Sequence, residues 1–109
     1  MAYDKKLADR IRRVLARRKS LTEKKMFGGI AFLLRGKMCC GVVGDQMVVR
    51  VGLERHEEAL AEPHARPMDF TGRLLRGFVY VGPAGYRTDE GLERWVRSAA
   101  DLVVSQARK

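Results

Sequence analysis

Long apolar runs are missing from this chain, and so are most residues from which catalytic and metal sites are built. No stretch approaches the roughly 18 apolar residues that a bilayer-spanning helix needs. The opening MAYDKKLADRIRRVL lacks the continuous apolar segment of a secretory signal. A cytoplasmic location, with no membrane partner, is therefore expected. The cysteines are two neighbours, Cys39 and Cys40, and an ordinary trans dipeptide does not offer the Cα separation and dihedral that a disulfide requires. They are expected as reduced, small core or sheet residues. Pooled with His56 and His64 they make a nominal zinc set, but adjacent cysteines and two widely spaced histidines match no usual ligand spacing. No metal is expected.

Nucleophilic machinery is equally sparse. The serines are Ser20, Ser98 and Ser105, each at a helix end or in the last helix, and the G-x-S-x-G elbow is absent. Nothing beside Cys39 or Cys40 argues for an activated thiol that His64 might serve. Glu57 and Glu58 are adjacent, so on a helix they point apart and form no acid/base pair. Gly28-Gly29 is followed by Ile30-Ala31, without the Lys and hydroxyl of a phosphate loop, and G-x-G-x-x-G does not occur. A bulge or strand entry is the reading there. The expectation is a protein with no catalytic residue and no cofactor, hence not an enzyme.

What the chain does have is positive charge in one place. Its 109 residues make one domain, residues 1–109, with an ordinary soluble composition and a net charge of +9. Residues 1–25 carry ten Lys/Arg against three acids, a net +7, leaving +2 for the remainder. Leu7, Ala8, Ile11, Val14 and Leu15 recur at helical spacing, predicting an amphipathic helix capped by Asp4 and ending near Arg18. On it, Lys6, Arg10, Arg13 and Arg17 stack into a stripe roughly 16 Å long at the helical rise. Lys5, Arg12 and Lys19 lie on the other flank. Such a stripe suits a phosphate backbone or an acidic protein surface.

From Met26 the period changes. GGIAFLLRGKMCCGVVGDQMVVRVG breaks at Arg35-Gly36-Lys37 and at Gly44-Asp45, where glycine supplies the positive φ of a tight hairpin. This predicts a meander of three strands at about 27–34, 38–43 and 46–51. A short helix over 53–62 stops at Pro63. Two strands follow, near Met68–Phe70 and Phe78–Val81, joined at Thr71-Gly72. A final helix begins at Thr88 and buries Leu92, Trp95, Val96, Ala99, Leu102 and Val103. Phe70 and Phe78 are read as core. The fold class is α+β: a two-layer α-β-β-β-α-β-β-α order, an antiparallel sheet packed against helices.

In HARPMDFTGRLLRGFVYVG, Asp69 is flanked by Arg66, Arg73 and Arg76. Two readings stay open: a structural carboxylate–guanidinium cluster, or an anion pocket that Asp69 orients.

KKMFGGIAF, MCCGVVGDQMVVRVG, RPMDFTGR and RGFVYV, in this order, resemble the N-terminal domain of the TfoX/Sxy family over nearly the whole chain. The resemblance implies a compact α+β domain with an antiparallel sheet. It also implies a role beside bacterial regulators of natural competence, which act with the cyclic-AMP receptor protein at promoters. The helical domain that follows in full-length competence regulators has no counterpart within residues 1–109. Taken together, the expectation is a regulatory adaptor whose partner is a protein of the transcription machinery or a regulator. The alternative is a weakly specific nucleic-acid binder using the basic helix. The oligomeric state is left open.

Overall fold

The computed structural model describes residues 3–26, 28–70 and 73–107. Helix α1 (Lys5–Leu15) opens the chain. Asp4 caps it, its Oδ1 accepting from the backbone N–H of Lys6 at 2.9 Å and of Leu7 at 3.1 Å, which satisfies two of the orphan donors of the first turn. Leu7, Ala8, Ile11 and Leu15 form the buried stripe. The helix ends at Leu15, earlier than Arg18; Ser20 then adopts φ 61 and the chain turns directly into a strand.

That strand, β1 (Leu21–Met26), is one more than the sequence pattern suggested. It leads into β2 (Gly29–Leu34), β3 (Lys37–Val43) and β4 (Gln46–Arg50), then α2 (His56–Leu60), β5 (Ala65–Phe70), β6 (Arg73–Val81), a 3-10 turn at Pro83–Gly85 and α3 (Asp89–Ala107). The six strands form one sheet in the order β1-β2-β3-β4-β6-β5, with every neighbouring pair antiparallel. The fold is α+β, as expected. LTEKKM escapes a pattern search because its interior is polar: it is an edge strand, and charged side chains there protect an open ladder from other chains. The opposite edge, β5, accommodates Pro67 for the same positional reason.

The main core lies between one sheet face and the helices. Phe32 and Leu34 of β2, Val42 of β3, Met47 and Val49 of β4 and Val79 and Val81 of β6 meet the stripes of α1 and α3. Along α3, Leu92, Trp95, Val96, Ala99 and Val103 are buried, with Ala100 beside them, and Thr88 Oγ1 accepts from the Gly91 N–H at 3.0 Å to cap the first turn. Two close approaches demand glycine in this sheet. A Cβ on Gly29 would overlap the Val42 carbonyl oxygen, and one on Gly41 would stand 2.6 Å from the Ile30 carbonyl oxygen.

The cysteines sit at a break in the β2–β3 register. Phe32 faces Cys40 while Leu33 faces Met38, so Cys39 is the extra residue of a bulge. Strand neighbours normally point to opposite faces; here the bulge brings the two Sγ atoms to 3.6 Å, both inside the core. The shared S–H hydrogen bond and burial push the Cys40 thiol up. The same bond, with the nearby positive charges of Arg18 and Arg50, pulls Cys39 down against its burial.

Two expectations follow from this geometry. Gly28 has φ +75 with open space around its Cα, so Gly28→Ala should cost only about 1 kcal/mol of backbone strain. Gly29→Ala, which drives a methyl into the β2–β3 ladder, should cost clearly more, about 3 kcal/mol or above, as read from urea unfolding midpoints. Thiol titration should count two free cysteines in the unfolded, non-reduced chain, and the native chain should react slowly because both sulfurs are buried. A count below two would contradict the reduced pair.

Candidate partner-binding surfaces

The basic stripe of α1 is divided by the fold. Arg10 Nη2 bonds Asp89 Oδ1 at 3.2 Å and the Arg87 carbonyl oxygen at 3.3 Å, and its guanidinium lies 6.0 Å from the Tyr86 ring centroid. It therefore clamps α1 to the start of α3. Lys6 and Arg13 of α1 are exposed, as is Arg17, which lies past the end of the helix at Leu15 and so does not continue its stripe as expected; none of the three makes an ion pair among the described residues. On the other flank Arg12 grips Glu23 of β1 through two hydrogen bonds, at 2.7 and 2.8 Å, and also reaches Asp9. Arg18, beyond the helix, bonds Asp101 of α3 at 2.9 Å. Three arginines of the N-terminal segment are thus spent on the protein's own acids.

Of the Arg66, Asp69, Arg73 and Arg76 cluster, the side chains of Asp69 and Arg73 lie outside the described residues. In the backbone, Asp69 pairs with Leu74 and Phe70 with Arg73 across β5–β6. Arg66 is exposed; its guanidinium stacks 5.3 Å from the Tyr80 ring centroid and its Nε donates to Gln46 Oε1 at 3.4 Å. Arg76 is exposed. His64 is an exposed turn residue at φ 70 whose carbonyl accepts from the Gly82 N–H at 3.0 Å. His56 is buried on α2, its Nε2 without a hydrogen-bond partner among the described residues. No three His, Cys, Asp or Glu side chains among the described residues gather as a metal set.

A cleft of about 160 Å³ opens between α2 and α3, floored by Val51, Ala59 and Trp95 and touched by Ser98. Arg94 and Glu62, both lining it, form an ion pair of 3.2 Å. Arg55 and Glu58 also line it.

The feature that pattern reading missed is the far face of the sheet. All three helices pack on one side. On the other, Val48, Met68 and Tyr80 form a second apolar cluster, with Met38, Val43 and Phe78 packed around it and only half-buried. Phe78, expected as core, belongs to this cluster, with the Arg50 guanidinium 5.0 Å from its ring centroid. The signal was available: an antiparallel sheet with one solvated face normally alternates apolar and polar residues, whereas FLL, MCCGVV, MVV and FVYV run on without alternation.

The Arg12–Glu23 pair gives a pH test. The Glu23 carboxyl is held below its ordinary range chiefly by the hydrogen bonds from Arg12 and also by their attraction, against burial; Arg12 is correspondingly raised. A carboxyl depressed in the folded state stabilises above its unfolded value, about 4.3, and loses that contribution as pH falls through the lower folded value. Glu23→Gln should thus destabilise at pH 7 by no more than about 1 kcal/mol, since the pair is part-exposed. The difference from the parent, followed by urea unfolding, should vanish well below pH 4.3.

Comparison with curated proteins and with solved structures finds no match. A family model does match: the TfoX N-terminal domain, over residues 13–102. The matched span includes all six strands, α2 and most of α3. None of its helices among the described residues is long and apolar enough to cross a membrane. This chain belongs to the TfoX N-terminal domain family.

Proposed function

We propose that the chain is a non-enzymatic regulatory adaptor that acts in transcription control by binding a protein partner in the cytoplasm. The observation that supports this best is the one-sided sheet. Helices cover one face, and the other carries a buried apolar cluster, Val48, Met68 and Tyr80, rimmed by the half-buried Met38, Val43 and Phe78. Contiguous part-exposed apolar surface on a small domain marks an interaction site more often than it marks a catalytic one. Membership in the TfoX N-terminal domain family supports the same reading.

Direct nucleic-acid binding through α1 is the second reading, favoured by the exposure of Lys6, Arg13 and Arg17. It is weakened by the clamp on Arg10. With three exposed cations left, Lys6 and Arg13 on α1 and Arg17 just past its end, the slope of log affinity against log salt should be near −2.7, where four would give about −3.6. The helix brings no evident set of Asn, Gln and Arg side chains to read base edges.

Two measurements separate the readings. Fluorescence anisotropy across a salt series should find only weak duplex binding, without sequence preference and fading at physiological salt. In cells, Met38→Glu, which places a charge on the uncovered face, should reproduce the transcript changes caused by deleting the protein. Arg13→Gln with Arg17→Gln should leave them at the parental level. The reverse pattern, with tight and sequence-selective duplex binding, would make α1 the working surface.

A further inference from the structure

The cleft between α2 and α3 is made of two helix faces. Arg55, Glu58, Ala59 and Glu62 recur at the spacing of one face across α2 and its two ends, and Arg94, Trp95 and Ser98 do the same on α3. The Glu62–Arg94 ion pair ties the end of α2 to α3. Ala59 and Trp95 each keep 8% exposure and Val51 is half-buried, so the apolar floor is reached from solvent. The opening of about 160 Å³ compares with the cavity of about 150 Å³ that takes benzene. It therefore admits one apolar group no larger than a phenyl ring or a short branched chain.

Charge decides what that group is attached to. The lining holds two guanidiniums and two carboxylates. Glu62 and Arg94 are taken by each other, whereas Arg55 and Glu58 are exposed and make no ion pair among the described residues. An anion meets Arg55 but also faces Glu58, and a cation has the converse problem. A ligand with both charges beside one apolar group satisfies both. We propose that the α2–α3 cleft binds a free α-amino acid with an apolar side chain of the size of leucine or phenylalanine. Its side chain lies over Trp95 and Ala59, its carboxylate takes the Arg55 guanidinium, and its ammonium takes Glu58. The Ser98 hydroxyl, exposed in the same lining, offers a further donor or acceptor. A residue inside a peptide chain carries neither charge and a terminal residue carries one, so each leaves Arg55, Glu58 or both without a partner. The site shares no residue with α1 or with the far-face cluster. It stands whether or not the adaptor reading does.

Trp95 is the chain's one tryptophan, so its emission reports on the floor of the cleft. The full chain is titrated with L-leucine and L-phenylalanine, and with N-acetylleucine, leucinamide and alanine for comparison. Leucine or phenylalanine should give a saturable change in Trp95 emission and raise the thermal unfolding midpoint with concentration. N-acetylleucine lacks the ammonium, leucinamide lacks the carboxylate, and alanine leaves the floor bare. Each should bind at least about tenfold more weakly. Arg55→Gln and Glu58→Gln each remove one charge at an exposed position, so both variants should fold, and each should weaken leucine binding about tenfold. Ser98→Leu, which fills the mouth from an exposed position, should abolish it, and Arg13→Gln on α1 should leave it unchanged. No saturable change up to about 10 mM of either amino acid overturns the proposal. So does binding of N-acetylleucine or leucinamide as tight as that of leucine, which would assign the cleft to the end of a protein chain. Leucine binding that survives Arg55→Gln and Glu58→Gln together would place the ligand elsewhere and overturn it as well.

Discussion

The constraint on which the rest depends is that α1 and α3 pack side by side on a single face of the sheet. Each helix has one apolar stripe, and both stripes join a single core with Phe32, Leu34, Val42, Val49 and Val79. Once both are seated, the sheet's second face has no helix left to cover it. A chain of 109 residues has little material for a third layer. One-sidedness is therefore a consequence of length and helix count. The apolar residues on the uncovered face are what length alone does not require, and that surplus makes the face worth reading as a functional surface.

The same packing accounts for the charge. Seating α1 against β1 and α3 brings Arg10, Arg12 and Arg18 to Asp89, Glu23 and Asp101. These pairs are part-exposed and each contributes little stability. Together they fix which way the helix is rotated, and they cancel much of the local field that the N-terminal segment shows on paper. A count of +7 over residues 1–25 overstates the charge that a distant phosphate or carboxylate would meet. Position matters more than the sum: Lys24 and Arg66 are few, yet they stand at the two ends of an apolar row with no acid between them among the described residues.

Much of the fold was legible because it rests on local rules. Asp4 as cap, the stripes of α1 and α3 and the glycine-bearing turns of the β2–β4 meander all follow from periodicity and turn chemistry. β1 was not legible, since an edge strand with a polar interior has no hydrophobic alternation to betray it. The juxtaposed thiols were also hidden, because a bulge between Phe32 and Leu33 is a property of pairing and not of either strand alone. The candidate surfaces divided the same way. Lys6, Arg10, Arg13 and Arg17 could be found from helical spacing, but the engagement of Arg10 required knowing where Asp89 lands. Which residues share the sheet's far face required the register of all six strands, which no single segment of sequence carries.

Edges and face also divide the ways in which a partner can approach. Strand addition to an open edge is a common route to recognition, and this sheet has two edges. β1 carries the exposed Lys24 and Lys25 beside its free ladder, and β5 carries Pro67, which removes a donor from the other. Both are devices that discourage another strand from pairing there. On the broad face the part-exposed apolar side chains among the described residues are Leu33, Met38, Val43 and Phe78, with Arg50 over the Phe78 ring, and methionine adapts readily to a neighbour's shape. An incoming segment is thereby steered across the strands and away from the ends of the ladder.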